Sequence, residues 1–159
     1  MPQRNLILLR HAHRSLKNPA ADNGLSGKGK KQAKRFRKDF LREFGPDARP
    51  RFLSSPKRRC VETLAPLAKR LGRTVQTNAD LRERDPDETA LEFRARVAGF
   101  LRGFPRRPGR LVVLSTHGDW APLALRILTG ARARFAKGGW AWIEPGNPSP
   151  LTALVRTGR

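Results

Sequence analysis

The chain has 159 residues, 38% of them apolar and including 8 Phe and 3 Trp, which is enough to cover one sheet, so residues 1–159 read as one domain. A single cysteine, Cys60, excludes an intramolecular disulfide, a cysteine zinc site and a redox pair within one chain. The 34 Lys and Arg against 13 Asp and Glu leave a net charge of +21, which attracts polyanions (nucleic acid, anionic membrane surfaces, acidic or phosphorylated substrates) without choosing among them.

Residues 5–10, Asn-Leu-Ile-Leu-Leu-Arg, form a short aliphatic run of the kind expected for a parallel strand buried on both faces. From 27 to 44, Ala33, Phe36, Phe40 and Leu41 fall on one helical stripe among cations, with Ser26 as the N-cap and Gly45-Pro46 as the stop. Residues 51–55 read as a second strand running into Pro56, and a helix follows over 56–71, ended by Gly72. A short edge-like strand is expected at 74–77 and a helix from 88 to 104, where Pro105 ends it. The second clear buried strand is 110–116, and a helix from about 119 to 128 is closed by Gly130. Residues 140–144 and 151–156, joined by Gly-Asn-Pro-Ser-Pro, look like a terminal antiparallel pair. The arginine-rich stretch 104–110 reads as a solvated loop.

Strands alternating with helices imply an α/β fold, a three-layer α/β/α sandwich with a mostly parallel central sheet. No apolar run approaches the roughly 18 residues of a membrane span, and the start passes into a strand without a signal-peptide core, so a soluble, cytoplasmic protein is expected.

Ligands of such folds bind beyond the C-terminal ends of the strands, which directs attention to Arg10-His11 and Thr116-His117. The two histidines can converge if their strands are neighbours, and phosphate chemistry would use them. A neutral imidazole can attack phosphorus when its other ring nitrogen donates to a backbone carbonyl, which fixes tautomer and aim. Charge developing on the phosphoryl oxygens needs donors placed in advance, and guanidinium forks such as Arg10 and Arg59 bind two oxygens at once.

The motifs resemble a known family. Leu8-Leu-Arg-His-Ala-His13 is similar to the Arg-His-Gly/Ala signature of the histidine phosphatase (phosphoglycerate-mutase-like) superfamily. Leu25-Ser-Gly-Lys-Gly-Lys-Lys-Gln-Ala33 and Ser54-Ser-Pro-Lys-Arg-Arg-Cys-Val-Glu-Thr63 resemble its next two segments. Leu81-Arg-Glu-Arg84, then Asp87-Glu-Thr89 with Arg96-Val97, resembles a shortened acid loop and the helix after it, and Ser115-Thr-His-Gly118 resembles the second-histidine motif.

The resemblance implies that His11 is the nucleophile of a phosphohistidine intermediate, that Arg10, Arg59 and His117 hold the phosphoryl group, and that Glu83 is the candidate proton donor to the leaving group. It implies no metal and no cofactor, and a phosphorylated small molecule or phosphoprotein as substrate. The short chain and Ala12 resemble the compact phosphohistidine phosphatases, whereas the Glu83 loop and its following helix resemble the broader phosphomonoesterases. A mutase would carry longer insertions after the acid loop.

Asp119, two residues past His117, is the other carboxylate that could serve as the acid, and Lys17 or Asn18 could donate to phosphate where the family often has Asn. His13 reads as a supporting or exposed residue, Arg14 as solvated, Cys60 as packing, and Trp120, Trp140 and Trp142 as core or strand-surface aromatics. Cys60 also lacks the Cys-x5-Arg loop of a cysteine phosphatase, since Pro66 stands six positions on. The competing reading from another class is a noncatalytic binder of phosphorylated or nucleic-acid ligands on the same fold. The imidazole at His11 favours the enzyme, and no nucleic-acid motif is present.

Overall fold

In the computed structural model of the chain, the structure describes residues 5–103, 110–143 and 154–156. The elements run β1 (Leu6–Arg10), α1 (Gly27–Phe44), β2 (Arg51–Ser54), α2 (Arg58–Arg70), β3 (Val75–Thr77), a single 3-10 turn (Ala79–Leu81), α3 (Ala90–Gly103), β4 (Val112–Thr116), α4 (Trp120–Thr129), β5 (Trp140–Ile143) and β6 (Leu154–Arg156). They build one sheet in the order β3-β2-β4-β1-β5-β6. The first four strands are mutually parallel, while β5 runs antiparallel to β1 and β6 antiparallel to β5. The terminal antiparallel pair is therefore present; the turn joining it and the loop 104–109 lie outside the described residues.

Strand periodicity divides the core in two, because successive side chains point to opposite faces. Leu6, Leu8, Leu53, Val112 and Leu114 meet Phe93, Val97 and Leu101 of α3 and Trp120, Ala121, Ala124 and Leu125 of α4. Ile7, Leu9, Phe52 and Val113 face the other way, onto Phe36 and Phe40 of α1 and Leu64, Leu67 and Ala68 of α2. Both faces are covered by helices, which makes the three-layer α/β/α sandwich and explains why β1 and β4 read as unbroken aliphatic runs.

Helix α1 has the bounds that its pattern predicts, with Ser26 Oγ accepting from Gly29 N at 3.1 Å and Gly45 closing it at φ 81°. A Cβ at Gly29 would collide with the carbonyl oxygen of His13, so the bare glycine lets the helix start pack directly on the strand-to-helix loop. Two helix starts differ from expectation. Helix α2 begins at Arg58, not 56, because Lys57 stays extended and Asp22, distant in sequence, accepts from Arg58 N at 3.1 Å. Helix α3 begins at Ala90, not 88, because Thr89 and Glu92 form a reciprocal capping pair: Thr89 N donates to Glu92 Oε2 at 2.8 Å and Glu92 N to Thr89 Oγ1 at 3.1 Å. Sequence reading did not give the 3-10 turn at Ala79–Leu81. Among the described residues no helix is long and apolar enough to cross a membrane.

Candidate active site

Because β1 and β4 are adjacent, with Arg10 paired to Thr116, the residues that follow them enter one pocket at the C-terminal edge of the sheet. The His11 and His117 rings lie 5.3 Å apart, inclined at 68°. His11 Nδ1 is 2.7 Å from the carbonyl oxygen of Ala12, an acceptor without a hydrogen. Nδ1 must therefore carry the proton, which leaves the lone pair on Nε2. The Ala12 peptide is fixed in turn: its N–H donates to Thr63 Oγ1 at 2.9 Å, and that hydroxyl donates to Arg59 O at 2.7 Å.

Burial, with further contributions from Arg59, Arg10 and Lys137, lowers the His11 pKa to about 4, although the bond to Ala12 opposes the shift. Burial above all, then His11 and Arg59, lowers that of His117 to about 2. Both imidazoles are neutral at pH 7. His117 Nε2 lies 2.9 Å from Ser55 Oγ, so its Nδ1 faces Arg59 Nη2 at 3.5 Å and Glu83 Oε2 at 3.7 Å.

Arg59, in the first turn of α2, is buried, yet it reaches the half-exposed Glu83 through Nη2 to Oε1 at 2.7 Å. Arg10 Nη1 donates to Phe135 O at 2.7 Å. The Nε atoms of both arginines are buried and have no hydrogen-bond partner. Two unpaired guanidinium N–H groups are costly to bury and are suited to an anion with several acceptor oxygens, such as a phosphoryl group.

All five residues assigned from the motifs, Arg10, His11, Arg59, Glu83 and His117, are thus brought together. Asp119 is placed differently from Glu83: its Oδ2 accepts from the backbone N–H of Arg84 at 2.9 Å. Lys17 and Asn18 are exposed on the loop between β1 and α1, where the Asn18 carbonyl accepts from Ala21 N and Asn23 Nδ2; no hydrogen bond joins either side chain to the pocket residues. His13 is partly buried, with Nδ1 2.7 Å from Ser26 Oγ at the start of α1. Cys60 is buried with Sγ 3.5 Å from His117 Nε2, and burial pushes its thiol up to about 12, so it is an inert wall of the pocket. Trp120 is a core residue against Phe100, and its Nε1 donates to Asp80 O at 2.7 Å.

Sequence reasoning missed Ser55 and Thr63 as supports. Both stand in the quoted Ser-Ser-Pro segment and its helix, and the signal was the second serine of that motif and the threonine that closes it. Among the described residues no group of three His, Cys, Asp or Glu side chains is placed to hold a metal ion.

The fold is shared with solved structures, two of the following three described as phosphatases. A mycobacterial glucosyl-3-phosphoglycerate phosphatase in complex with VO3 is 19% identical, with 98% of each chain covered and a TM-score of 0.69. An Escherichia coli K-12 protein described as an alpha-ribazole-5'-P phosphatase is 18% identical, with 98% of this chain and 95% of that one covered and a TM-score of 0.72. A Thermus thermophilus protein, TTHB049, is 23% identical over 98% of this chain and 99% of its own, at a TM-score of 0.68. The sheet and the paired histidines therefore define a phosphoglycerate-mutase-like α/β protein. The sequence model of the histidine phosphatase superfamily (branch 1) matches residues 6–88, more than half the chain, and the chain belongs to that superfamily. No curated protein matches it.

Proposed function

We propose that the protein is a metal-independent phosphatase that hydrolyses a phosphomonoester or a protein phosphohistidine through phospho-His11. The observation that carries this reading is the Nδ1–H of His11 held on Ala12 O at 2.7 Å, which leaves Nε2 as a neutral nucleophile; the buried, unpaired Nε–H groups of Arg10 and Arg59 support it. Superfamily membership supports phosphatase chemistry, and the activities named for the mycobacterial and E. coli proteins are both on phosphate monoesters. Neither the family nor those structures point to nucleic acid.

In the first step the Nε2 lone pair attacks phosphorus and the bond from phosphorus to the leaving oxygen breaks. Arg10, Arg59 and His117 hold the phosphoryl oxygens as their charge develops. The leaving alkoxide takes its proton from the Glu83 carboxyl at the pocket mouth. In the second step water attacks phosphorus, its proton passes to the Glu83 carboxylate, the N–P bond breaks, and inorganic phosphate leaves. Glu83 at the mouth favours a phosphomonoester, whose alkoxide needs that proton.

The test is a screen of sugar phosphates, nucleotides, phosphopeptides and phosphohistidine in the presence of EDTA, followed by base quenching with a labelled substrate. An acid-labile phosphoryl-enzyme that is lost in folded His11→Ala is expected. Unchanged turnover in that variant overturns the role of His11, a strict need for added metal overturns the mechanism, and phosphate binding without turnover would leave a noncatalytic binder.

A further inference from the structure

The backbone leading into Glu83 has no helix or strand beyond the 3-10 turn, and carbonyls in such a segment ordinarily turn to water. Here four consecutive carbonyls are taken by side chains from other elements. Asp80 O accepts from Arg96 Nη1 at 2.8 Å and from Trp120 Nε1 at 2.7 Å. Leu81 O accepts from Thr116 Oγ1 at 2.6 Å, Arg82 O from Arg96 Nη1 at 3.0 Å, and Glu83 O from Arg96 Nη2 at 3.1 Å. One guanidinium thus gathers three of the four carbonyls.

That guanidinium is itself fixed. Its Nε donates to Glu88 Oε1 and its Nη2 to Glu88 Oε2, both at 2.8 Å, and the two side chains are only 13% and 14% exposed. The Glu83 side chain is 45% exposed and its tip is held by the Arg59 guanidinium, which the proposed reaction turns to the phosphoryl group. Its reach toward the pocket depends on where its peptide is held.

We propose that Arg96 is a positioning residue for the proton-transfer step: it holds the Glu83 peptide so that the carboxyl meets the leaving oxygen, and Glu88 holds Arg96. The inference rests on the reading of Glu83 as the acid. The anchoring carbonyls also tie Glu83 to Thr116, the residue before His117, so one strand end registers the acid against the phosphoryl site.

The experiment compares p-nitrophenyl phosphate, whose leaving group departs without a proton, with glycerol phosphate, whose alkoxide needs one. Glu83→Gln, Arg96→Gln, their double variant, Arg96→Lys and Glu88→Gln are measured on both, with thermal melts to establish folding. Arg96→Gln is expected to lower kcat on glycerol phosphate about 10-fold more than on p-nitrophenyl phosphate, with KM little changed, since a misplacement of about 1 Å can cost about 10²-fold and a smaller one correspondingly less.

The double variant should be no slower on glycerol phosphate than Glu83→Gln alone. Arg96→Lys should recover part of the loss. If Arg96→Gln does not fold, Glu88→Gln, which keeps the guanidinium, decides: it should show the same selectivity to a smaller degree. Equal losses on the two substrates in the Arg96 and Glu88 variants, with Glu83→Gln still selective, overturn the positioning role alone, as does an additive double variant. Equal losses in Glu83→Gln itself remove the acid and the proposal with it.

Discussion

Arg59 Nη2 donates to Glu83 Oε1 at 2.7 Å, so the guanidinium proposed for phosphate and the carboxylate proposed for the leaving group hold each other. In the proposed first step a phosphoryl group competes for that guanidinium and frees the carboxylate to take up a proton and face the leaving oxygen as the acid. Arg59→Ala removes both functions. It is expected to lower kcat/KM by about 10²-fold or more and to weaken inhibition by inorganic phosphate and vanadate, because oriented charged donors in a dry site contribute on that scale. Arg59→Lys should restore only part, since an ammonium is a point charge that cannot fork. Unchanged inhibition constants in Arg59→Ala would remove Arg59 from the phosphate site.

Gly118 follows His117 directly, and a Cβ there would stand 2.7 Å from the Arg10 guanidinium carbon. The far end of a long side chain can move aside, so Gly118→Ala should fold with a melting temperature close to that of the parent. The displaced Arg10 should then raise KM several-fold and strain its bond to Phe135 O, whose present length is 2.7 Å. Steady-state kinetics together with a thermal melt test this; a destabilised variant with normal KM would contradict it.

The two buried imidazoles set a stability window. Folding lowers His11 from 6.5 to about 4 and His117 from 6.5 to about 2, so below pH 6.5 the unfolded chain binds protons that the folded chain refuses. Stability is full above 6.5 and falls as pH drops toward those values, by an amount on the order of several kcal/mol. Melts between about pH 7.5 and 4.5 should show a steep decline that flattens in His117→Asn. Parallel curves for parent and variant would exclude His117 as a source of the decline.

The exposed face of α1 carries Lys28, Lys30, Lys31, Lys34 and Lys38, a field that can speed the encounter with a large anion without altering the chemistry. Rising salt should therefore reduce kcat/KM more steeply for an acidic phosphopeptide than for a small aryl phosphate, with heparin competing against the former, because screening acts over about 10 Å at 0.1 M salt. Identical salt slopes would leave the +21 charge without a role in selecting substrate.

The local pattern alone determined that buried strands lie within 5–10 and 110–116, which run Leu6–Arg10 and Val112–Thr116, that α1 runs Gly27–Phe44, and that His11 and His117 stand just past two strand ends. Burial leaves a periodic mark in sequence, and capping and stop residues are local, so these were readable residue by residue. Strand order leaves no such mark. Only the packed sheet places β4 between β2 and β1, which brings Ser55 and Arg59 from one side and His11 from the other around His117, and Thr63 onto the Ala12 peptide. The same holds for the acid loop. Nothing in Leu81-Arg-Glu-Arg84 says that Arg96, one helix later, will collect its carbonyls, or that Asp119 will accept from the Arg84 N–H and not stand where Glu83 stands. Those pairings depend on the angle at which α3 and α4 cross the sheet, which the summed packing of both helices decides and no single segment encodes.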